Sequence, residues 1–128
     1  IQKPINKGDD NMNITQLNTN QIFVFGSNLA GRHGKGAALY ARQHFGAQYG
    51  IGNGPTGRCY AIPTKDKYIQ TLPLNTIKHY INQFVEYAQQ HPELEFLLTP
   101  VGTGLAGYSI EDLESILPEL PSNVIRTY

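Results

Sequence analysis

Short continuous apolar runs alternate along the chain with longer runs at helical spacing. "QIFVF" (21–25) is brief and rich in β-branched and aromatic residues, which predicts a buried strand. "RCYAIP" (58–63) predicts a second strand closed by Pro63, "LEFLLTP" (94–100) a third and "NVIRTY" (123–128) a last one. Between them, Gly36 to Phe45 carries Ala37, Ala38, Tyr40, Ala41 and Phe45 near one side of a helix. The clearest helix is 75–91, with Asn75 as its cap, a stripe of Ile77, Tyr80, Ile81, Phe84, Val85 and Ala88, and Pro92 as its stop. "SIEDLESIL" (109–117) opens with Ser109 and Asp112 in a capping arrangement and predicts a third helix. The segment 46–57, "GAQYGIGNGPTG", has too much glycine for an element and reads as loop. Strands alternating with helices predict an α/β fold, a sandwich of three layers.

Residues 1–20 are polar, asparagine-rich and weakly periodic, which predicts a loose or appended start, with Met12 a candidate natural first residue and "NITQL" a short edge strand. Residues 21–128 then make one domain, and a chain of 128 residues is enough for a single core. Lysine plus arginine is 10 and aspartate plus glutamate is 10, so bulk electrostatic binding to nucleic acid or to an acidic membrane is not expected. No run has the length of a membrane span. The single cysteine, Cys59, excludes an internal disulfide, reads as core and fits a reducing cytoplasm. His33, His44, His79 and His91 fall in separate elements and do not pair with Cys59 at metal spacing, so neither a metal nor a cofactor is expected. Tyr40, Tyr60, Tyr80 and Tyr87 read as core or core edge.

The two strongest strands each run into a glycine-rich stretch with a helix directly behind it. The first is "GSNLAGRHGKGA" (26–37), and the second is "GTGLAGY" (102–108). Glycines serve tight turns, and they also let a ligand come close to bare backbone, where the free amides of a helix start attract phosphate. Two such loops favour a ligand over mere turns. "GTGLAG" matches G-x-G-x-x-G literally, but a dinucleotide-binding unit requires a helix, a parallel strand and an acid on the ribose, and the chain ends at "NVIRTY" without that acid.

In these two stretches the sequence resembles the macro domain family, which binds ADP-ribose. "LLTPVGTGLAGYSIEDL" is similar to the family's phosphate loop, and "GSNLAGRHGKGAALYARQHFG" to its other loop and helix. Arg32, Gly34, Gly36, Phe45 and Gly46 also resemble the terminal ADP-ribose protein glycohydrolase branch. The resemblance spans about residues 21–128 and implies a mixed central sheet between helices, with an ADP-ribose or other NAD-derived nucleotide across its top. By that resemblance Gly26, Ser27, Asn28, Arg32, Gly34, Lys35, Gly36 and Ala37 flank the distal ribose and diphosphate. Gly102, Thr103, Gly104, Leu105, Ala106, Gly107 and Tyr108 wrap the diphosphate.

In that branch a lysine attacks the anomeric carbon of the ribose and an acid in the phosphate loop assists release. Lys65 of "AIPTKDKY" stands at the lysine's place. An amine nucleophile must be neutral, which desolvation or a cationic neighbour favours, and Arg32 and Lys67 are the neighbours on offer. The acid's place is taken by Ala106, with Asp66 the remaining substitute; the adenine-side aspartate has only Asn13, Asp9 or Asp10 as candidates. Three functions stay open: a binder of ADP-ribose or a related nucleotide, an ADP-ribosyl glycohydrolase acting on a modified macromolecule, and an interaction domain with a vestigial pocket.

Overall fold

The computed structural model describes residues 14–128, so Asp9, Asp10, Met12 and Asn13 lie outside the described residues. The strands are β1 (Gln21–Asn28), β2 (Gly54–Thr56), β3 (Cys59–Lys65), β4 (Glu95–Leu98) and β5 (Val124–Arg126). The helices are α1 (Gly36–Phe45), α2 (Leu74–Gln90) and α3 (Ile110–Ile116). The strands form one mixed sheet in the order β2-β3-β1-β4-β5. β1 runs parallel to β3 and β4, β5 parallel to β4, and β2 antiparallel to β3. The fold is an α/β sandwich of three layers.

Alternation within the strands sorts side chains to the two faces. Phe23, Phe25, Cys59, Ala61 and Leu97 pack with Ala38, Ala41 and Phe45 of α1. Val24, Tyr60, Ile62, Phe96 and Leu98 pack with Ile77, Ile81, Phe84, Val85 and Ala88 of α2 and with Leu113 and Ile116 of α3. Both faces are therefore apolar, which is why β1 and β4 read as unbroken hydrophobic runs. Phe84 anchors the second layer, with ring centroids 5.1 Å from Tyr60 and 5.4 Å from Phe96. Tyr60 is buried, while Tyr40, Tyr80 and Tyr87 sit at the core edge as expected.

Several boundaries differ from the sequence reading, each for a local reason. β1 continues past the apolar run through Gly26, Ser27 and Asn28, because β3 pairs with it as far as Asn28↔Lys65. Pro63 does not close β3; it lies beyond the last pair with β2 and just before the register shift with β1, where a missing N–H is tolerated. Part of the expected loop 46–57 is β2, an edge strand with an exposed proline at 55. Asn75 is not the cap of α2; Pro73 holds that position without a side-chain bond. No strand forms over 14–17; instead Ile14 is buried against the α1 layer and its carbonyl accepts the Tyr40 hydroxyl at 2.7 Å.

The capping expected at α3 is present in both directions. Asp112 N–H donates to Ser109 Oγ at 3.0 Å, and Ser109 N–H donates to the Asp112 carboxylate at 3.0 Å. Ser109→Ala should therefore lower unfolding free energy by about 1 kcal/mol, measured by denaturant titration with an unchanged slope. No measurable change would mean that α3 is held by Leu113 and Ile116 alone.

Candidate functional site

β1 is flanked by parallel partners on both edges. The chain leaves it through α1 to reach β3 on one side, and returns through α2 on the opposite face to reach β4 on the other. Connections that part in this way leave a crevice outside the carboxyl ends of the strands, at the topological switch point. A cavity of about 720 Å³ lies there. That is the size range of small-molecule sites.

Gly26, Ser27, Asn28, Arg32, Gly34, Lys35, Gly36 and Ala37 line it from one side, and Gly102, Thr103, Gly104, Leu105 and Ala106 from the other. Lys65 lines it at the end of β3. Gly107 and Tyr108 are not in the lining. The Tyr108 hydroxyl donates to the Leu72 carbonyl at 2.7 Å, and its N–H closes the loop onto Gly102 at 2.9 Å, so the tyrosine fixes the loop from behind. Thr64, Thr99, Pro100, Val101 and Ile69 also contribute to the walls. Thr99, Pro100 and Val101 belong to the stretch that leads from β4 into the second loop, whereas Thr64 and Ile69 carry no motif of their own and reach the cavity through β3 and the turn behind it.

The first loop is closed by its own side chains. Asn28 donates from Nδ2 to the Arg32 carbonyl at 2.8 Å and accepts the Arg32 N–H at Oδ1 at 2.9 Å. The Ser27 hydroxyl donates to the Gly52 carbonyl. Gly52 must be glycine, because a Cβ there would stand 1.8 Å from the Asn28 carbonyl oxygen. Polar atoms that the sequence offered to a ligand are thus spent in shaping the loop.

What remains free is backbone. Lys35, the N-cap of α1, makes no side-chain capping bond, and α1 has no acid in its first turn. Among the described residues no acceptor is found for the N–H groups of Gly36, Ala37 and Ala38, nor across the cavity for those of Gly104, Leu105 and Ala106. Leu105 bridges the two loops: its Cδ1 lies 3.4 Å from where a Cβ on Gly36 would be. The charged side chains of the lining are Arg32, Lys35 and Lys65, all cationic. Free amides at a helix start together with cations of one sign make a site for an anion.

Lys65 leads into a tight turn. Its backbone bridges Thr71, and Asp66 N–H donates to the Gln70 carbonyl at 2.8 Å. The Asp66 carboxylate accepts Tyr68 N–H at 2.8 Å and Gln70 N–H at 3.0 Å, so it builds the turn, and Asp66 is not in the cavity lining. Lys67 Nζ lies 5.3 Å over the Tyr68 ring rather than in the lining. Ile69 within this turn has φ 65. That is a left-handed conformation costing a β-branched residue on the order of 1–3 kcal/mol. The Thr71 hydroxyl donates to the Ala106 carbonyl at 2.9 Å and ties the turn to the second loop.

The cysteine settles as core. Cys59 is buried and its thiol is pushed up to about 12 by burial, which makes it inert as a nucleophile. No cluster of histidine, cysteine and acid suited to a metal occurs among the described residues. No helix among them is long and apolar enough to cross a membrane.

The architecture is thus an α/β sandwich with a crevice at its switch point, lined by free amides and cationic side chains. The solved macrodomain of Mycobacterium tuberculosis DarG matches it at a TM-score of 0.63 and 20% sequence identity, over 88% of this chain and 84% of that one. The chain therefore has the macrodomain fold. No family model matches the sequence, and a search of curated proteins finds no match.

His33 stands between the lining residues Arg32 and Gly34 yet turns into the core. It is 0% exposed, packs edge-on against Phe25 at 5.5 Å, and its Nε2 faces the Ile51 carbonyl at 3.0 Å while Nδ1 has no partner. Burial lowers its pKa below the ordinary 6.5, the Ile51 carbonyl partly offsets this, and Arg42 adds to the lowering. Above that ordinary value both folded and unfolded imidazoles are neutral. Below it the unfolded chain takes up the proton first, so stability is lost as pH falls from 6.5 towards the folded pKa. Thermal midpoints of wild type should drop more than those of His33→Gln between about pH 7 and 5.5. Parallel curves would remove His33 as the cause.

Proposed function

We propose that this chain is a macro domain that binds ADP-ribose, or a closely related NAD-derived nucleotide, through its two glycine-rich loops. The observation that carries this reading is the meeting of two sets of unpaired amides, from the start of α1 and from residues 104–106, across one cavity whose charged lining is entirely cationic. A diphosphate is the group that such a pair of loops grips from both sides. Gly26, Gly34, Gly36, Ala37, Gly102, Thr103, Gly104, Leu105 and Ala106 form the diphosphate wall in this reading, and Arg32 and Lys35 supply charge at the rim. Asn28 and Ser27 serve by holding the first loop in shape, and Gly107 and Tyr108 by holding the second. The nucleotide arrives free or attached to an ADP-ribosylated macromolecule. The buried thiol of Cys59 suits a reducing compartment such as the cytoplasm.

The second reading is an ADP-ribosyl glycohydrolase of the terminal ADP-ribose type. It is favoured by Lys65, which reaches the cavity wall from the end of β3. Attack of its amine on the anomeric carbon would expel the group to which the ADP-ribose is attached. The step needs proton transfer to that leaving group, and Ala106 provides none. Asp66, the substitute, already accepts two turn amides with its carboxylate. Binding is therefore the principal function and turnover at most slow.

Gly104 gives the cleanest test of the binding site. It is exposed, its φ is not positive, and a Cβ there would meet nothing within 4 Å. Gly104→Val puts a branched side chain into this open space, so it should weaken ADP-ribose by roughly 100-fold in calorimetry while leaving the melting midpoint in place. Unaltered affinity in the folded variant would take the phosphate off this loop. For turnover, the comparison is a time course on an ester-linked ADP-ribosyl peptide. Wild type should release little, Ala106→Asp more by about 10²–10⁴-fold, and the Ala106→Asp, Lys65→Ala double variant none. Rapid multiple turnover by wild type that disappears in Lys65→Ala would put the enzyme reading first.

A further inference from the structure

We infer that Ile69 is a specificity-determining residue: it is held in a strained conformation so that its side chain forms the apolar wall for the sugar beyond the diphosphate, beside Lys65. The inference rests on the reading of the cavity as a site for ADP-ribose or a close relative.

Ile69 has φ 65, and among the described residues every other positive φ belongs to glycine. Glycine or asparagine would sit at this position without strain, whereas a branched Cβ crowds the backbone. The turn does not need isoleucine for its own sake. Its hydrogen bonds come from Asp66, whose carboxylate takes the Tyr68 and Gln70 amides and whose carbonyl takes the Ile69 N–H at 3.0 Å. Nor does the core demand it, since Ile69 belongs to neither hydrophobic cluster and the adjacent Tyr68 is 73% exposed. What Ile69 does contact is the cavity, which it lines together with Thr64 and Lys65. The Thr71–Ala106 bond fixes this turn against the second loop, so the wall is held in place before any ligand arrives.

The rest of the lining leaves this task to Ile69. Its other sizeable apolar side chains are Val101, which is buried in the core, Leu105, which reaches across to Gly36, and Pro100, which stands at the root of the second loop with its carbonyl on Thr103. Ala106 contributes one methyl group. A sugar presents C–H groups on one side of its ring, and these pack on an apolar surface while the hydroxyls are hydrogen-bonded elsewhere. Ile69 is the surface on the Lys65 side. ADP, which ends at the diphosphate, has no group to place there.

The test measures calorimetric affinities for ADP-ribose and ADP, with melting midpoints, for wild type, Ile69→Asn and Ile69→Val. Ile69→Asn should melt no lower than wild type, lose about tenfold in ADP-ribose affinity and keep its ADP affinity within about twofold. Ile69→Val, which keeps the branched apolar shape, should hold ADP-ribose within about threefold of wild type. Equal losses of ADP and ADP-ribose in Ile69→Asn, no loss of either, or a lower melting midpoint would each overturn the assignment. Wild type that binds neither nucleotide would sink the underlying reading as well. Wild type that binds both, with Ile69→Asn indistinguishable from it, would sink the role of Ile69 alone.

Discussion

β1 lies between two parallel strands and between two helical layers, and this double enclosure organises the domain. A strand with partners on both edges and helices on both faces has no solvent side, so its residues must be apolar in both directions. Phe23, Val24 and Phe25 meet that demand with no exposed surface at all. The chain must also leave β1 towards one edge and come back at the other. The crevice follows from that parting of connections rather than from any residue designed to open it. The site is thus a by-product of the same arrangement that makes the core, and a substitution at Phe25 would be felt at the mouth of the cavity through His33, whose ring rests on it.

In and behind the walls of the crevice, side chains and main chain exchange their usual tasks. Asn28, Ser27, Asp66, Thr71 and Tyr108 have the polar groups one would first assign to ligand recognition. Each instead ties one piece of backbone to another. The donors left over are peptide amides, held in position by those ties. Preorganised amides need no rearrangement when an anion arrives, which is the physical advantage of building the cradle this way.

The sequence was most legible where periodicity and capping acted locally. The apolar runs of β1, β3 and β4, the stripe of α2 and the Ser109–Asp112 box needed no knowledge of the tertiary structure. Legibility failed where a neighbouring strand decided the outcome. Gly26–Asn28 looked like loop and is strand, because β3 pairs alongside it. Gly54–Thr56 has only Thr56 as a strand-like side chain, beside a glycine and a proline, and forms because β3 offers an edge. Pro63 looked like a stop, yet it sits where the ladder has already loosened. In the site, the loops were visible through their glycines. The contribution of Thr64 and Ile69 was not, since an ordinary threonine or isoleucine gives no sign that the fold will place it in a wall. The positive φ of Ile69 is still less visible, being imposed by hydrogen bonds to an aspartate three residues earlier.

A cradle made of peptide amides also has a consequence for inheritance. Every residue type except proline supplies the same N–H, so many substitutions leave the donors unchanged provided the backbone keeps its course. What selection must preserve is a path in space, fixed by a few glycines and by tethers such as Thr71 and Tyr108, rather than a string of letters. Such a domain can drift far in sequence while its geometry stays in place. This chain is 20% identical to the solved macrodomain of Mycobacterium tuberculosis DarG and still matches its shape over most of both lengths, the combination that such tolerance permits.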